Sequence, residues 1–211
     1  MAVILAILSI AIILTGNELW ARRRNPHGEF SRKFVHISVG SMVAFWPFWF
    51  SWSQIEWLSL AFLIGIAISK QLNVFQAIHS VQRPTWGEFF FAAAVGGIAL
   101  MTHDKWIYAT ALLQMSLADG FAAVFGIKYG KGQGYQVFGH DKSLVGSLTF
   151  FVLSLAILIN YNYIVTSGSH LAALSILGIS LLTTLIENLG VAGLDNLLVP
   201  LLVAAMLRAF A

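Results

Sequence analysis

Long apolar runs, separated by short polar clusters, fill almost the whole chain. A helix that crosses the hydrocarbon of a bilayer needs about 20 residues, with a usable range of about 17–25. Runs of this kind are read near 2–20, 34–51, 55–70, 86–102, 106–127, 143–163, 170–188 and 195–210. The third and eighth are short and could be partly re-entrant, so seven spans compete with eight. The pattern predicts an all-α, polytopic transmembrane helical bundle of about 7–8 spans. No polar stretch is long enough to build a separate core, so residues 1–211 form a single integral membrane domain. The segment from Gly126 through Lys142, with Gly130, Gly132, Gly134 and Gly139 between, reads as its flexible loop.

Composition supports this reading. Hydrophobic residues make up 58% of the chain and charged residues 10%, against roughly 25% charged in ordinary soluble domains. Mean hydropathy is +0.81. Seven Trp and sixteen Phe suit bilayer interfaces. The absence of Cys excludes disulfides and thiolate metal sites.

Charge placement then predicts orientation. The N-terminal run has no basic residue before it and is followed by Arg22, Arg23 and Arg24. That order opposes a cleaved signal peptide and predicts a retained first span with its N-terminus outside the cytoplasm. With the first connection cytoplasmic, Arg22, Arg23, Arg24, Arg32, Lys33, Lys70, Arg83, Lys128, Lys131 and Lys142 all fall inside, and only Lys105 and Arg208 outside. That split follows the positive-inside rule.

Four polar constellations share the cytoplasmic side. Arg32, Lys33 and His36 stand at the start of a span, where the cations could hold phosphate or anchor the helix. An ionisable His inside a span is a functional candidate that requires a partner. Asp119 follows, flanked by Gly120, Ala122, Ala123 and Gly126, with Lys128 and Gly130 beyond; it could bind a nucleotide-bound Mg²⁺ or simply hydrogen-bond a neighbouring helix. The run Gly139-His140-Asp141-Lys142-Ser143-Leu144-Val145-Gly146-Ser147 reads as a loop becoming a helix, a favourable place for phosphate. Its spacing is not that of P-loop enzymes, and an N-capped helix with a snorkelling Lys142 is the plainer alternative. The last constellation, Glu187-Asn188 and Asp195-Asn196, flanks a Gly-containing break, and Glu88 adds one more acid. Cations for phosphates, carboxylates for metal, and a His or carboxylate for a hydroxyl are the components of phosphoryl transfer. The apolar setting assigns the hydroxyl to a lipid.

Taken in order, Arg32-Lys33-x-x-His36-x-x-x-Gly40, Gly87-Glu88, Ala118-Asp119-Gly120 with Gly126 and Gly130, Lys142-Ser143-x-x-Gly146-Ser147, Glu187 and Asp195-Asn196-x-x-x-Pro200 resemble the CTP-dependent polyprenol kinase family, which includes dolichol, phytol and farnesol kinases and the yeast-type diacylglycerol kinase. Val145 stands where that family commonly has Glu. The resemblance implies transfer of the terminal phosphate of CTP to a prenol or polyprenol, with Mg²⁺ as cofactor. It implies catalytic roles for Asp119, His36 and Glu88. Phosphate-binding roles fall on Arg32, Lys33, Gly120, Gly126, Lys128, Gly130, Lys142, Ser143, Gly146 and Ser147. Metal-binding roles fall on Asp119, Glu187, Asp195 and Asn196. The partners implied are a membrane lipid alcohol and a nucleotide, with no nucleic acid. A CTP-dependent diacylglycerol kinase and a phosphatidate cytidylyltransferase-like enzyme are the enzymatic rivals. A small ion-coupled transporter is the non-enzymatic one.

Overall fold

The computed structural model describes residues 2–24, 28–72, 86–165 and 171–210. Among these, eight helical rods form the bundle: α1 (Ala2–Arg24), α2 (Gly28–Ala44), α3 (Trp52–Gln71), α4 (Gly87–Met101), α5 (Lys105–Tyr129), α6 (Leu144–Ile164), α7 (Ala173–Leu189) and α8 (Asp195–Phe210). Four of them, α1, α3, α5 and α6, are long and apolar enough to cross a membrane, while α4 and α7 are apolar but shorter. The chain is an integral membrane protein built as an all-α bundle. The second and third spans differ most from the sequence reading. The second starts earlier, at Gly28, and ends earlier, at Ala44, where a 3₁₀ turn at Trp46–Phe48 with Pro47 in its first positions follows. The third is a full 20-residue helix, because a capping box between Ser51 and Gln54 starts it upstream of Ile55.

α5 is the axis of the bundle. In its most apolar stretch 56% of residues are buried, against 17–28% in the corresponding stretches of the other three long helices. It begins at Asp104, whose carboxylate accepts from the Trp106 and Ile107 amides at 2.7 and 2.9 Å. Small residues let α2 lie directly on it: a Cβ at Gly40 would strike Ser116, and one at Gly120 would strike Ile37. α8 closes the opposite flank with Asn196, Val199, Pro200, Val203, Ala204 and Leu207 buried at helical spacing. α1 packs on α2, and α3 packs on α4, but α1 and α3 scarcely touch.

The two ends of the bundle differ chemically. At one end Trp52 stacks on His103 at 5.3 Å, Lys105 lies over the Phe48 ring at 5.6 Å, and Arg208 donates to the Met101 carbonyl at 2.8 Å. Lys105 and Arg208, the two cations set apart by the sequence reading, meet here within an aromatic layer. Lys33, Asp119, Lys142 and Glu187 gather at the other end. Of the remaining charges used for orientation, Arg83 and the side chains of Arg22, Arg24 and Lys70 lie outside the described residues.

The expected flexible loop is a correction. α5 continues to Tyr129, and the residues beyond it form an antiparallel hairpin, β1 (Gly134–Val137) and β2 (His140–Ser143), pairing Tyr135 with Lys142 and Val137 with His140. Its two turn residues, Phe138 and Gly139, have φ of 48° and 76°, as a two-residue hairpin turn of the primed kind demands.

Candidate active site

The site is organised around Asp119. On α2, Lys33 and His36 are three residues apart and share one face. Lys33 Nζ donates to Asp119 Oδ2 at 2.6 Å, and His36 Nε2 stands 3.3 Å from the same oxygen. His36 Nε2 also lies 2.9 Å from the Met115 carbonyl. Both neighbours of Nε2 are acceptors, so this nitrogen carries the hydrogen and a neutral ring keeps its lone pair on Nδ1.

The Met115 carbonyl is available because α5 widens into a π-helical turn at Gln114–Ala118. The Asp119 amide bonds the Gln114 carbonyl where an α-helix would have used Met115. Such turns concentrate at functional sites. Nothing in the composition of Gln114-Met115-Ser116-Leu117-Ala118 signals it, and the sequence reading missed it.

A second pair, half-buried at Lys142, lies alongside. Lys142 Nζ donates to Glu187 Oε1 at 2.6 Å and to the Glu187 carbonyl at 2.8 Å. Burial works to lower the Lys142 pKa, but the Glu187 carboxylate, with Asp195 and Asp119 behind it, outweighs burial and raises the ammonium above its ordinary range. Asp119, Glu187 and Asp195 place carboxylate oxygens within 4.8 Å of one another. Two buried acids and a half-buried third so close together are held by cations, and two lysines neutralise only part of the set. Mg²⁺ takes oxygen ligands at about 2.0–2.1 Å, which puts opposite ligands about 4.2 Å apart, and usually binds through one or two carboxylates plus phosphate and water. The donor chemistry and spacing therefore fit a hard divalent cation after a small side-chain adjustment.

Beside the cluster, a cavity of about 440 Å³ lies between α1, α2, α3 and α4, with Asn196 of α8 at its edge. Its walls are apolar, among them Ile10, Leu14, Val39, Phe62 and Phe91, and Arg32, His36, Glu88, Ser69 and Asn196 form one end. His36 thus belongs to both features: Nε2 faces Asp119, and the ring lines the cavity.

The chain is 32% identical over 202 residues to a phytol kinase of Synechocystis sp., across 90% of this chain and 83% of that relative. The chain belongs to the polyprenol and phytol kinase family. No family model matches the chain, and no solved structure does.

Within this family member the remaining motif residues separate into groups. Gly126, Gly130 and Gly146 crowd around Ser143: a Cβ at Gly126 would come within 2.8 Å of Ser143 Oγ, and one at Gly146 within 3.1 Å of the Ala122 carbonyl. Close packing of β2 and α6 against α5 is itself sufficient reason for glycine there. Ser143 caps α6 by accepting from the Gly146 amide at 3.0 Å. Ser147 Oγ bonds the Ser143 carbonyl and Asn188 Oδ1. Tyr135, which sequence reasoning did not single out, directs its hydroxyl to Ser147 and Asn188, both at 2.5 Å, and so ties the hairpin to α6 and α7. Lys128 is exposed and lies over the Tyr129 ring at 5.1 Å. Glu88 lines the cavity and is not in the carboxylate group. Asn196 Nδ2 donates to the Gly87 carbonyl at 3.1 Å, which joins α8 to the start of α4. That junction is tight, because a Cβ at Gly193 would meet the Gly87 Cα at 2.5 Å, and Gly193 itself has φ of 91°.

Proposed function

We propose that this protein transfers the terminal phosphate of CTP to the hydroxyl of a prenol-type lipid alcohol, at the cytoplasmic surface of its membrane. The observation that carries the reading is the juxtaposition of a buried carboxylate–lysine cluster with an apolar cavity, His36 standing between them. The relative's name, phytol kinase, supports a prenol as acceptor. CTP as donor rests on the resemblance of the ordered motifs.

The two ion pairs are arranged for exchange. Lys33 and Lys142 each occupy an oxygen of a carboxylate that a metal would use, Asp119 and Glu187. When donor phosphates enter, these lysines turn from carboxylate to phosphate and free those oxygens. Asp119, Glu187 and Asp195 would hold Mg²⁺, which would neutralise charge on the phosphates. Arg32 supplies a further cation at the polar end of the cavity. His36 Nδ1 takes the proton of the lipid hydroxyl as its oxygen bonds the terminal phosphorus and the bridge to the departing CDP breaks, while Asp119 and the Met115 carbonyl hold the ring in that tautomer. The apolar walls keep the tail in place and water out. Phosphoryl transfer asks for little else than position and charge stabilisation.

The test is incubation of purified protein with γ-labelled CTP, Mg²⁺ and a panel of prenols, polyprenols and diacylglycerol. Label should pass to a prenol and be abolished by chelation. Label on diacylglycerol alone would shift the acceptor class. Release of pyrophosphate with a cytidylyl-lipid product would replace the kinase reading with a cytidylyltransferase.

A further inference from the structure

The cavity has a length as well as a polar end. On α3 its lining residues run from Ser69 at the polar end to Leu58, a rise of about 16 Å at 1.5 Å per residue. Between them lie Gly65, one turn from Ser69, and Ala61, one turn deeper.

Glycine in the middle of a helix needs a reason, since it is the poorest helix former after proline. Elsewhere in the bundle the reason is contact: a Cβ at Gly96 would come within 2.5 Å of Ser59 Oγ. At Gly65 a Cβ meets none of the described residues within 4 Å. Gly16 and Gly178 are equally open, but neither lines the cavity. Gly65 therefore keeps space empty that nearly any other side chain would fill. A helical side chain leans toward the N-terminus of its helix, which on α3 is the deep end. A longer side chain at Gly65 would therefore project down the cavity and leave its polar end clear. Among the described residues α1 and α3 both belong to the lining yet share few contacts with each other, which leaves a lateral side of the cavity between them.

We propose that the α1–α4 cavity is the acceptor-tail site, with Gly65 and Ala61 setting the length of isoprenoid chain the enzyme accepts. This rests on the prenol-kinase reading above. The hydroxyl sits at His36, and the tail runs along α3 past Gly65 and Ala61 toward Leu58. Bulk at Gly65 truncates the site near its mouth, and bulk at Ala61 truncates it one turn deeper.

The experiment is a comparison of kcat/KM for geraniol, farnesol and phytol in wild type, Gly65→Leu, Ala61→Leu and the control Gly178→Leu, each checked by gel filtration and thermal midpoint. Losing fit for part of an apolar tail changes specificity by about 10- to 200-fold. Gly65→Leu should lose that much with phytol and farnesol and little with geraniol. Ala61→Leu should lose it with phytol only, and Gly178→Leu with none. Equal loss for all three alcohols in folded Gly65→Leu, or no loss for any, would overturn the assignment. If Gly65→Leu does not fold, Gly65→Ala and Ala61→Val supply the same comparison in smaller steps. Failure of the kinase reading is visible separately, as wild type that phosphorylates no prenol. In that case a photoreactive farnesol analogue decides the site by itself: cross-links confined to α1–α4 peptides uphold the tail site, and cross-links elsewhere refute it.

Discussion

Converting Asp119 to Asn tests the centre of the site, and the structure changes what the substitution should do. Were Asp119 only a metal ligand, the amide would leave a folded and inactive protein. In the folded bundle, however, Asp119 is the counter-charge of Lys33 at 2.6 Å, with both side chains only 7% exposed. Removing one partner of a buried pair typically costs about 3–5 kcal/mol, because the survivor is left buried and uncompensated, whereas replacing both is often neutral. Asp119→Asn and Lys33→Met should each lose about 3–5 kcal/mol. At about 2–4 °C per kcal/mol for a chain of this size, the thermal midpoint should fall by about 6–20 °C. The double variant should recover most of that stability. Turnover should not recover with it. All three variants should fall by at least about a hundredfold, equivalent to ~2.7 kcal/mol of barrier, because a carboxylate of the cluster or its cation is missing. The assay is a thermal melt in detergent paired with transfer of label from CTP. Wild-type midpoints in the single variants would refute the buried pair, and wild-type turnover in the double variant would refute the role of Asp119 as a ligand.

Other consequences are open to direct measurement. Lys142→Ala removes a charged hydrogen bond worth about 1.5–3 kcal/mol and should lower kcat/KM about ten- to a hundredfold, while Lys105→Ala at the far end changes little; equal small effects would remove Lys142 from the site. Since Lys142 has a raised pKa, its contribution to stability is complete below the ordinary lysine pKa of about 10.4 and fades only as pH rises through the higher folded value; a Lys142-dependent drop in midpoint between about pH 6 and 9 would contradict this. Tyr135→Phe removes the hydroxyl that bonds Ser147 and Asn188, and should speed hydrogen exchange across Gly134–Ser143 without altering exchange in α3. The chain has no Cys, so Phe138→Cys at the exposed hairpin tip offers a single thiol. An impermeant maleimide should label it from the cytoplasmic side only, and labelling from the other side would overturn the proposed orientation.

The sequence alone was enough to read the bundle, because lipid imposes a local rule: each crossing must be long and apolar, and charges must stay near the ends. The all-α bundle, and the placing of Lys105 and Arg208 at the end opposite Lys33 and Lys142, follow from that rule. The ordered motifs likewise pointed to the family and to Asp119, since a carboxylate in a span needs a reason to be there. Which groups meet was a different matter. Lys33 and Asp119 are 86 residues apart in the chain, and only the packing of α2 on α5 through Gly40 and Gly120 brings them together. Glu88 and Glu187 look alike as acids near helix ends, yet one lines the cavity and the other joins the carboxylate group. The hairpin was hidden by its own turn: Phe138 takes a positive φ that glycine, asparagine or aspartate would normally announce. The π-helical turn, which hands the Met115 carbonyl to His36, has no composition of its own. It depends on how three neighbouring helices press on α5, and tertiary packing alone decides that.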